Sequence, residues 1–264
     1  MSSVRLALVG GGRMGEALLR GLLAAGRPVG ELAVVEAVEA RRAELASAHP
    51  GLSVVAAPPE AEAAVLAVKP ADAESACAAL AGAGLKRLLS VAAGVTTVDL
   101  ERWVGPGVAV VRAMPNTPAL VGEGTAALSG GASAGPADEA WAEEILSAVG
   151  RVVRLPERLL DAVTGLSGSG PAYVFLVAEA LIDAGVAAGL PRDASRQLTI
   201  GTILGAARLL AETGETPEAL RAAVTSPGGT TAAGLRVLEA RAVRAALIDA
   251  VAAAADRSRQ LGSG

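Results

Sequence analysis

Gly10-Gly11-Gly12-Arg13-Met14-Gly15 has the spacing G-x-G-x-x-G. Such a string does chemistry with its backbone. Gly10 permits a tight turn, Gly12 lets the chain approach a pyrophosphate, and Gly15 allows close helix–strand packing. The amides of the helix that follows, starting with Arg13 and Met14, then face the phosphates. The pattern carries weight only between a strand and a helix. Here Val4 to Val9 is a short apolar run, and Met14, Leu18, Leu19, Leu22 and Leu23 recur at helical spacing. Glu36 follows about 20 residues after Gly15, where a carboxylate accepts hydrogen bonds from the adenosine ribose and repels a 2′-phosphate. That favours NAD. Arg41 and Arg42 follow closely and could reach a phosphate, or could form a solvated helix face paired with Glu39 and Glu44.

Three further strings combine Gly or Pro with small polar side chains. They are Met114-Pro115-Asn116-Thr117-Pro118, Gly165 to Tyr173 (GLSGSGPAY), and Val224 to Thr231 (VTSPGGTT). Each reads equally as turns and helix caps. Two features add a functional reading. The first string follows a strand end, the edge where α/β sheets bind ligands. The third offers backbone amides and hydroxyls at a helix start, which suits a carboxylate.

The elements that would position these strings change character along the chain. Strands are expected at Leu32 to Val35, Val54-Val55, Val65 to Val68, Arg87 to Val91 and Val108 to Arg112. Helices are expected between them, at Val38 to Ala48 and Asp72 to Leu80. That alternation predicts an α/β fold: an N-terminal Rossmann-type parallel-sheet domain over 1–155. From 156 to 264 strand signals vanish and Ala/Leu-rich helices take over. This half reads as an all-α domain whose helices bury more than one face, which favours packing on a partner chain.

Composition removes other chemistries. One His (His49) and one Cys (Cys77) cannot supply the four ligands of a structural zinc site, so no metal is expected. A nucleophile–His pair would have to use His49, which lies in a polar turn before Pro50. Trp103, Trp141, Tyr173 and Phe175 are too few and scattered to stack bases, and the net charge is −4, so no nucleic acid is expected. Mean hydropathy is +0.47. Still, Glu179 and Asp183 interrupt Tyr173 to Leu190, and Arg241, Arg244 and Asp249 interrupt Ala240 to Ala255. No membrane span and no signal peptide are expected, and a cytoplasmic location follows.

Taken with Gly10 to Gly15 and Val68-Lys69-Pro70, the three strings resemble the pyrroline-5-carboxylate reductase family. The likeness runs in order over nearly the whole chain, and VTSPGGTTAAGLRVLE (Val224 to Glu239) resembles that family's signature. The resemblance implies a Rossmann domain followed by a helical dimerisation domain. It implies a homodimer interlocked through its helices, with decamers in many members. It also implies NAD(P)H-dependent reduction of 1-pyrroline-5-carboxylate to L-proline. Ser226 and the amides of Gly229, Thr230 and Thr231 would hold the substrate carboxylate, and the Thr231 hydroxyl would meet the ring nitrogen as the catalytic contact. Gly10, Gly12, Arg13, Met14 and Gly15 would hold the pyrophosphate. Val68, Lys69 and Pro70 would line the nicotinamide-ribose side, with Asn116 near the nicotinamide. Many members carry an Arg after the second strand that favours NADP. This sequence has Ala37 there, beside Glu36, so the cofactor is expected to be NADP or NAD with a lean towards NAD.

The likeness also bears on alternatives. A β-hydroxyacid dehydrogenase would need a lysine on the helical half. The two lysines, Lys69 and Lys86, both precede it. An imine reductase for other substrates and a nucleotide-sensing module are the other readings. The organised string from Ser226 to Thr231 argues against the sensor.

Overall fold

A computed structural model describes residues 4–262. Its secondary structure begins with β1 (Leu6–Val9), α1 (Arg13–Ala24), β2 (Leu32–Val35), α2 (Glu39–Ala48), β3 (Ser53–Val55) and β4 (Ala63–Leu66). Then come α3 (Ala73–Leu80), β5 (Arg87–Ser90), α4 (Thr97–Val104), β6 (Ala109–Met114), β7 (Gly124–Gly130), α5 (Pro136–Ser147) and β8 (Gly150–Arg154). The eight strands form one sheet in the order β3-β2-β1-β4-β5-β6-β7-β8.

Strands β1 to β6 pair in parallel, as the alternation of strand and helix predicts. Strand β7 departs from that expectation and runs antiparallel to β6, with Arg112 opposite Ser129. The reason is the link between them. A parallel return needs a crossover of about a dozen residues or more. From Met114 to Gly124 the chain has only a short 3-10 turn, Thr117–Val121, with Pro118 at its start and Pro115 before it. It must double back. Strand β8 then pairs in parallel with β7 after crossing through α5.

Alternate strand residues point to opposite faces, and the core divides accordingly. Leu6, Leu8, Val34 and Leu89 pack with Leu18 of α1, Leu45 of α2 and Ile145 of α5 on one face. Ala7, Val9, Leu66 and Val110 pack with Cys77 of α3 and Leu100 of α4 on the other. Burial pushes the Cys77 thiol up to about 11, so it is a packing group with no thiolate at neutral pH.

After β8 come α6 (Leu160–Val163), a π-turn over Thr164–Gly168, α7 (Gly170–Ala187), α8 (Arg192–Glu212), α9 (Pro217–Ala223), α10 (Thr230–Ala240) and α11 (Val243–Gly262). Gly189 at φ +98° ends α7, and Pro191 caps the start of α8. The described chain forms two compact units. One holds the residues up to Ser169 and those from Ala252, and the other is Gly170–Val251.

Within the second unit only Ser195 and Thr199 are buried. Phe175, Leu176, Leu204 and Ile248 are more than half exposed. Helices apolar on several faces need cover. The helical run Glu157–Ala187 is also long and apolar enough, by length and composition, to cross a membrane. Its Glu179 and Asp183 are too few to fail that test, which corrects the expectation from sequence that no stretch would read as a span.

Candidate functional site

The nucleotide loop is built at the C-terminal end of β1. Gly10 has φ +104°, and a Cβ placed on it would lie 2.6 Å from the Ala67 carbonyl oxygen. The turn is fixed by Gly10 N–H donating to Val35 O and Ala67 N–H donating to Val9 O, both at 2.8 Å. A Cβ on Gly15 would collide with the Gly10 carbonyl, which is what lets α1 sit against the strand. Gly12 is different: nothing lies within 4 Å of its Cβ position. It caps α1 without a side-chain hydrogen bond, so the first-turn amides, which have no intrahelical partner, face open space. Arg13 is exposed beside them, and Met14 is half-buried against the core. Unfilled space above unpartnered amides fits a pyrophosphate.

At the tip of β2 the Glu36 carboxylate is fixed by two backbone donors. Its Oε2 accepts from Gly11 N–H and its Oε1 from Val38 N–H, each at 2.9 Å. Arg42 donates to the carbonyls of Glu36 and Ala37 at 2.9 and 2.7 Å. Arg41 donates from Nε to Gly11 O at 2.9 Å, from Nη1 to Glu44 at 3.0 Å and from Nη2 to Glu16 at 2.5 Å. Glu44 is a partner the spacing suggests. Glu16, on α1, is not visible from it. The bond from Arg41 holds the Glu16 carboxyl below the usual carboxylate range, with Arg20 adding to it and burial opposing.

Beyond β4, Val68 lies against the Gly10 turn, with Cγ1 3.1 Å from the Cβ position. Lys69 and Pro70 are exposed at the start of a single 3-10 turn, closed by Asp72 N–H on Lys69 O at 2.9 Å.

Asn116 follows β6, and both ends of its amide are engaged. Oδ1 accepts from Thr125 N–H at 2.8 Å, and Nδ2 donates to the carbonyl and hydroxyl oxygens of Ser167, both at 3.2 Å. The Met114 methyl lies 2.6 Å from where a Gly168 Cβ would stand. The first two strings therefore meet, the second as a π-turn, a conformation frequent at functional sites.

Sequence reasoning missed the group that holds the other end of that segment. The buried Arg112 of β6 donates to Glu157 at 3.0 Å and lies 3.9 Å from Asp161. Glu157 also accepts from Thr97 N–H at 2.8 Å and Thr97 Oγ1 at 2.6 Å. Asp161 accepts from Ser258 Oγ at 2.7 Å. Burial pushes the Glu157 carboxyl up, but the donors from Thr97 and Arg112 outweigh it and hold it low.

The third string lies in the second unit. Gly228 has φ +70°, and Gly229 caps α10 with no side-chain hydrogen bond. Gly229 N–H is used within the turn, donating to Ser226 O at 3.0 Å. The Ser226 hydroxyl occupies the place where a Gly229 Cβ would stand. Thr230 and Thr231 open the helix, so their amides have no intrahelical acceptor. Thr231 is half-buried. The Ser226 hydroxyl thus lies beside the residue that precedes α10, at the end where the helix dipole favours an anion.

A groove of about 1060 Å³ lies elsewhere, at the N-terminal ends of β1, β4 and β5. Its cations are paired: Arg27 with Glu144, Lys86 and Arg5 with Glu62, and Arg87 with Asp138. None of the predicted site residues lines it.

Comparisons with known proteins agree on one family. Residues 157–261 match the family model for pyrroline-5-carboxylate reductase dimerisation. Residues 5–94 match the model for NADP oxidoreductase coenzyme F420-dependent. A pyrroline-5-carboxylate reductase of Synechocystis sp. is 46% identical, covering 98% of this chain and 99% of that one. The solved structure of one from Coxiella burnetii has TM-score 0.89 and 34% identity over 98% of this chain and 99% of that chain. The pyrroline carboxylate reductase of Plasmodium falciparum with NADP bound has TM-score 0.86 and 31% identity, with 99% of each chain covered.

Proposed function

The chain belongs to the pyrroline-5-carboxylate reductase family, and from that premise we propose how its own residues divide the work. The reaction is NAD(P)H-dependent reduction of 1-pyrroline-5-carboxylate to L-proline, the last step of proline biosynthesis. The reduced nicotinamide supplies a hydride to the imine carbon. The C=N π pair goes to nitrogen, and a proton on that nitrogen balances the charge.

The imine is basic and arrives carrying its proton, so the chain need not supply a strong acid. Ser226 and the amides of Thr230 and Thr231 bind the carboxylate. Gly229 shapes the turn and leaves room for the Ser226 hydroxyl. The Thr231 hydroxyl meets the ring nitrogen and orients the ring, since alignment at near-attack distance is the main catalytic task. The observation that carries this assignment is the start of α10, uncapped by any side chain and overlain by one hydroxyl.

Gly10, Gly12, Arg13, Met14 and Gly15 hold the pyrophosphate, and Val68, Lys69, Pro70 and Asn116 border the nicotinamide side. Glu36, fixed by the Gly11 and Val38 amides, receives the adenosine ribose hydroxyls and disfavours a 2′-phosphate. NADH therefore competes well with NADPH. The exposed apolar faces of α7, α8 and α11 are covered by a second copy of the chain, and dimers assemble further. We place the nucleotide-binding domain at 1–155 and the dimerisation and substrate domain at 156–264, in a cytoplasmic enzyme with no nucleic-acid or membrane partner.

Oxidation of NADH and of NADPH with pyrroline-5-carboxylate tests the activity. Turnover with both, at comparable kcat/KM, is expected. No turnover with either overturns it, and a large preference for NADPH removes Glu36 as the discriminator.

A further inference from the structure

We propose that Glu16 is a second determinant of cofactor choice: it holds the Arg41 guanidinium against the phosphate loop and so keeps it from gripping a 2′-phosphate. The inference rests on the nucleotide-site reading above. Its geometry centres on one peptide, Gly11. The Gly11 N–H donates to Glu36, the ribose-side acid, while the Gly11 carbonyl accepts from Arg41 Nε at 2.9 Å. Arg41 therefore sits one peptide away from the carboxylate that would meet the ribose. It is the cation best placed to bind a phosphate there, since the Arg42 guanidinium caps the carbonyls of Glu36 and Ala37.

A guanidinium recognises phosphate through a flat fork of N–H donors. In Arg41 each edge of the fork is already engaged. Nε is on Gly11, Nη1 on Glu44 and Nη2 on Glu16. The two carboxylates do not hold equally. Glu44 lies three residues along the same helix, with its side chain 66% exposed, where such pairs are worth little. Glu16 lies on α1 in the turn after Gly12, with its side chain 18% exposed. Its position is set by a helix already packed on the sheet, so it is the stronger hold.

The test compares binding without turnover. Dissociation constants for NADPH and NADH, and for adenosine 2′,5′-bisphosphate and AMP, are measured by calorimetry on the full chain. The variants are Glu16→Gln, Glu44→Gln and Glu16→Gln combined with Arg41→Ala. In Glu16→Gln the ratio of the NADPH to the NADH constant should fall roughly fivefold or more, with the two fragments changing in parallel. Glu44→Gln makes the same change in net charge and should leave the ratio within about twofold. Adding Arg41→Ala should abolish the gain. An unchanged ratio in Glu16→Gln overturns the proposal. So does an equal gain in Glu44→Gln, or a gain that survives Arg41→Ala, since either outcome means charge alone is responsible. Glu36→Gln serves as the separate check on the ribose reading: if it leaves the ratio unchanged while Glu16→Gln lowers it, Glu36 fails and Glu16 stands.

Discussion

Asn116 Nδ2 lies 3.2 Å from both the carbonyl and the hydroxyl oxygen of Ser167, while its Oδ1 takes the Thr125 amide. One side chain thus ties the segment after β6 to the π-turn at Thr164–Gly168. Four residues earlier on the same stretch, Arg112 ties down Glu157 and Asp161. The segment from Glu157 to Gly168 is held at both ends by groups that β6 positions. Because the whole Asn116 amide is committed, its removal acts through Ser167 and Thr125. Asn116→Ala should lower kcat about tenfold, in line with the cost of small misplacements near reacting groups. Ser167→Ala should lower it less, and the double variant should fall no further than Asn116→Ala. A double-mutant cycle on kcat checks this, and strict additivity would separate the two residues.

The three pattern glycines of the phosphate loop, Gly10, Gly12 and Gly15, should respond differently to the same change. Gly12 has open space and an ordinary extended backbone, φ −70° and ψ −173°. Gly12→Ala should leave thermal stability within about 0.5 kcal/mol. Its methyl would occupy the phosphate approach, so the cofactor dissociation constant should rise on the order of tenfold, about 1.4 kcal/mol. Gly15→Ala drives a Cβ into the Gly10 carbonyl and should cost about 1–3 kcal/mol in stability. Gly10→Ala adds backbone strain to a clash with Ala67 and should be at least as costly. Melting curves with and without cofactor distinguish the two classes.

These differences also show how far the sequence was legible. The order of β1 to β6 and the loop after β1 rest on local signals: short apolar runs, helical spacing and a glycine pattern. Those signals act over a few residues, and the strands appear where the runs are. Strands β7 and β8 escaped because their sequences, GTAALSG and GRVVR, alternate small or charged residues without a sustained apolar run. The Arg112–Glu157–Thr97 network escaped for another reason. Its members stand 45 and 60 residues apart, and no local rule pairs them. Glu16 stands in the first turn of α1, 25 residues from Arg41. Only the fold brings Arg41 to it.

The same network makes stability depend on pH. The folded Glu157 carboxyl is held below its ordinary value of about 4.3. A depressed carboxyl contributes stability that is full above the unfolded value and lost as pH falls through the folded one. Glu157→Gln removes the nearer of the two carboxylates beside buried Arg112, leaving Asp161 at 3.9 Å, and should cost about 2 kcal/mol at neutral pH. The gap between wild type and variant should narrow as pH drops from about 4.3 downward, because the wild type loses the same interaction by protonation. Denaturant melts from pH 7 to pH 3 measure it. A gap constant over that range would mean that Glu157 titrates alike in both states.

Ser226 and Thr231 should divide binding from turnover. In the assignment proposed above, Ser226 would face the carboxylate only, so its bond would be present in both the bound substrate and the transition state. Removing it is a loss of uniform binding, which appears in KM with kcat little changed. A hydrogen bond to a charged group is worth about 1.5–3 kcal/mol, so Ser226→Ala should raise KM roughly tenfold or more. In the same assignment Thr231 would meet the nitrogen whose bonding changes during reduction. Its contribution grows towards the transition state, and Thr231→Ala should lower kcat by about tenfold while the cofactor dissociation constant stays within about twofold. Thr231→Ser keeps the hydroxyl and the helix-opening amide, and should recover most of the rate. Steady-state kinetics at saturating cofactor, beside calorimetric cofactor titrations, resolve the split. If Thr231→Ala changes only KM, the hydroxyl is a binding group and the alignment of the ring must come from the backbone alone.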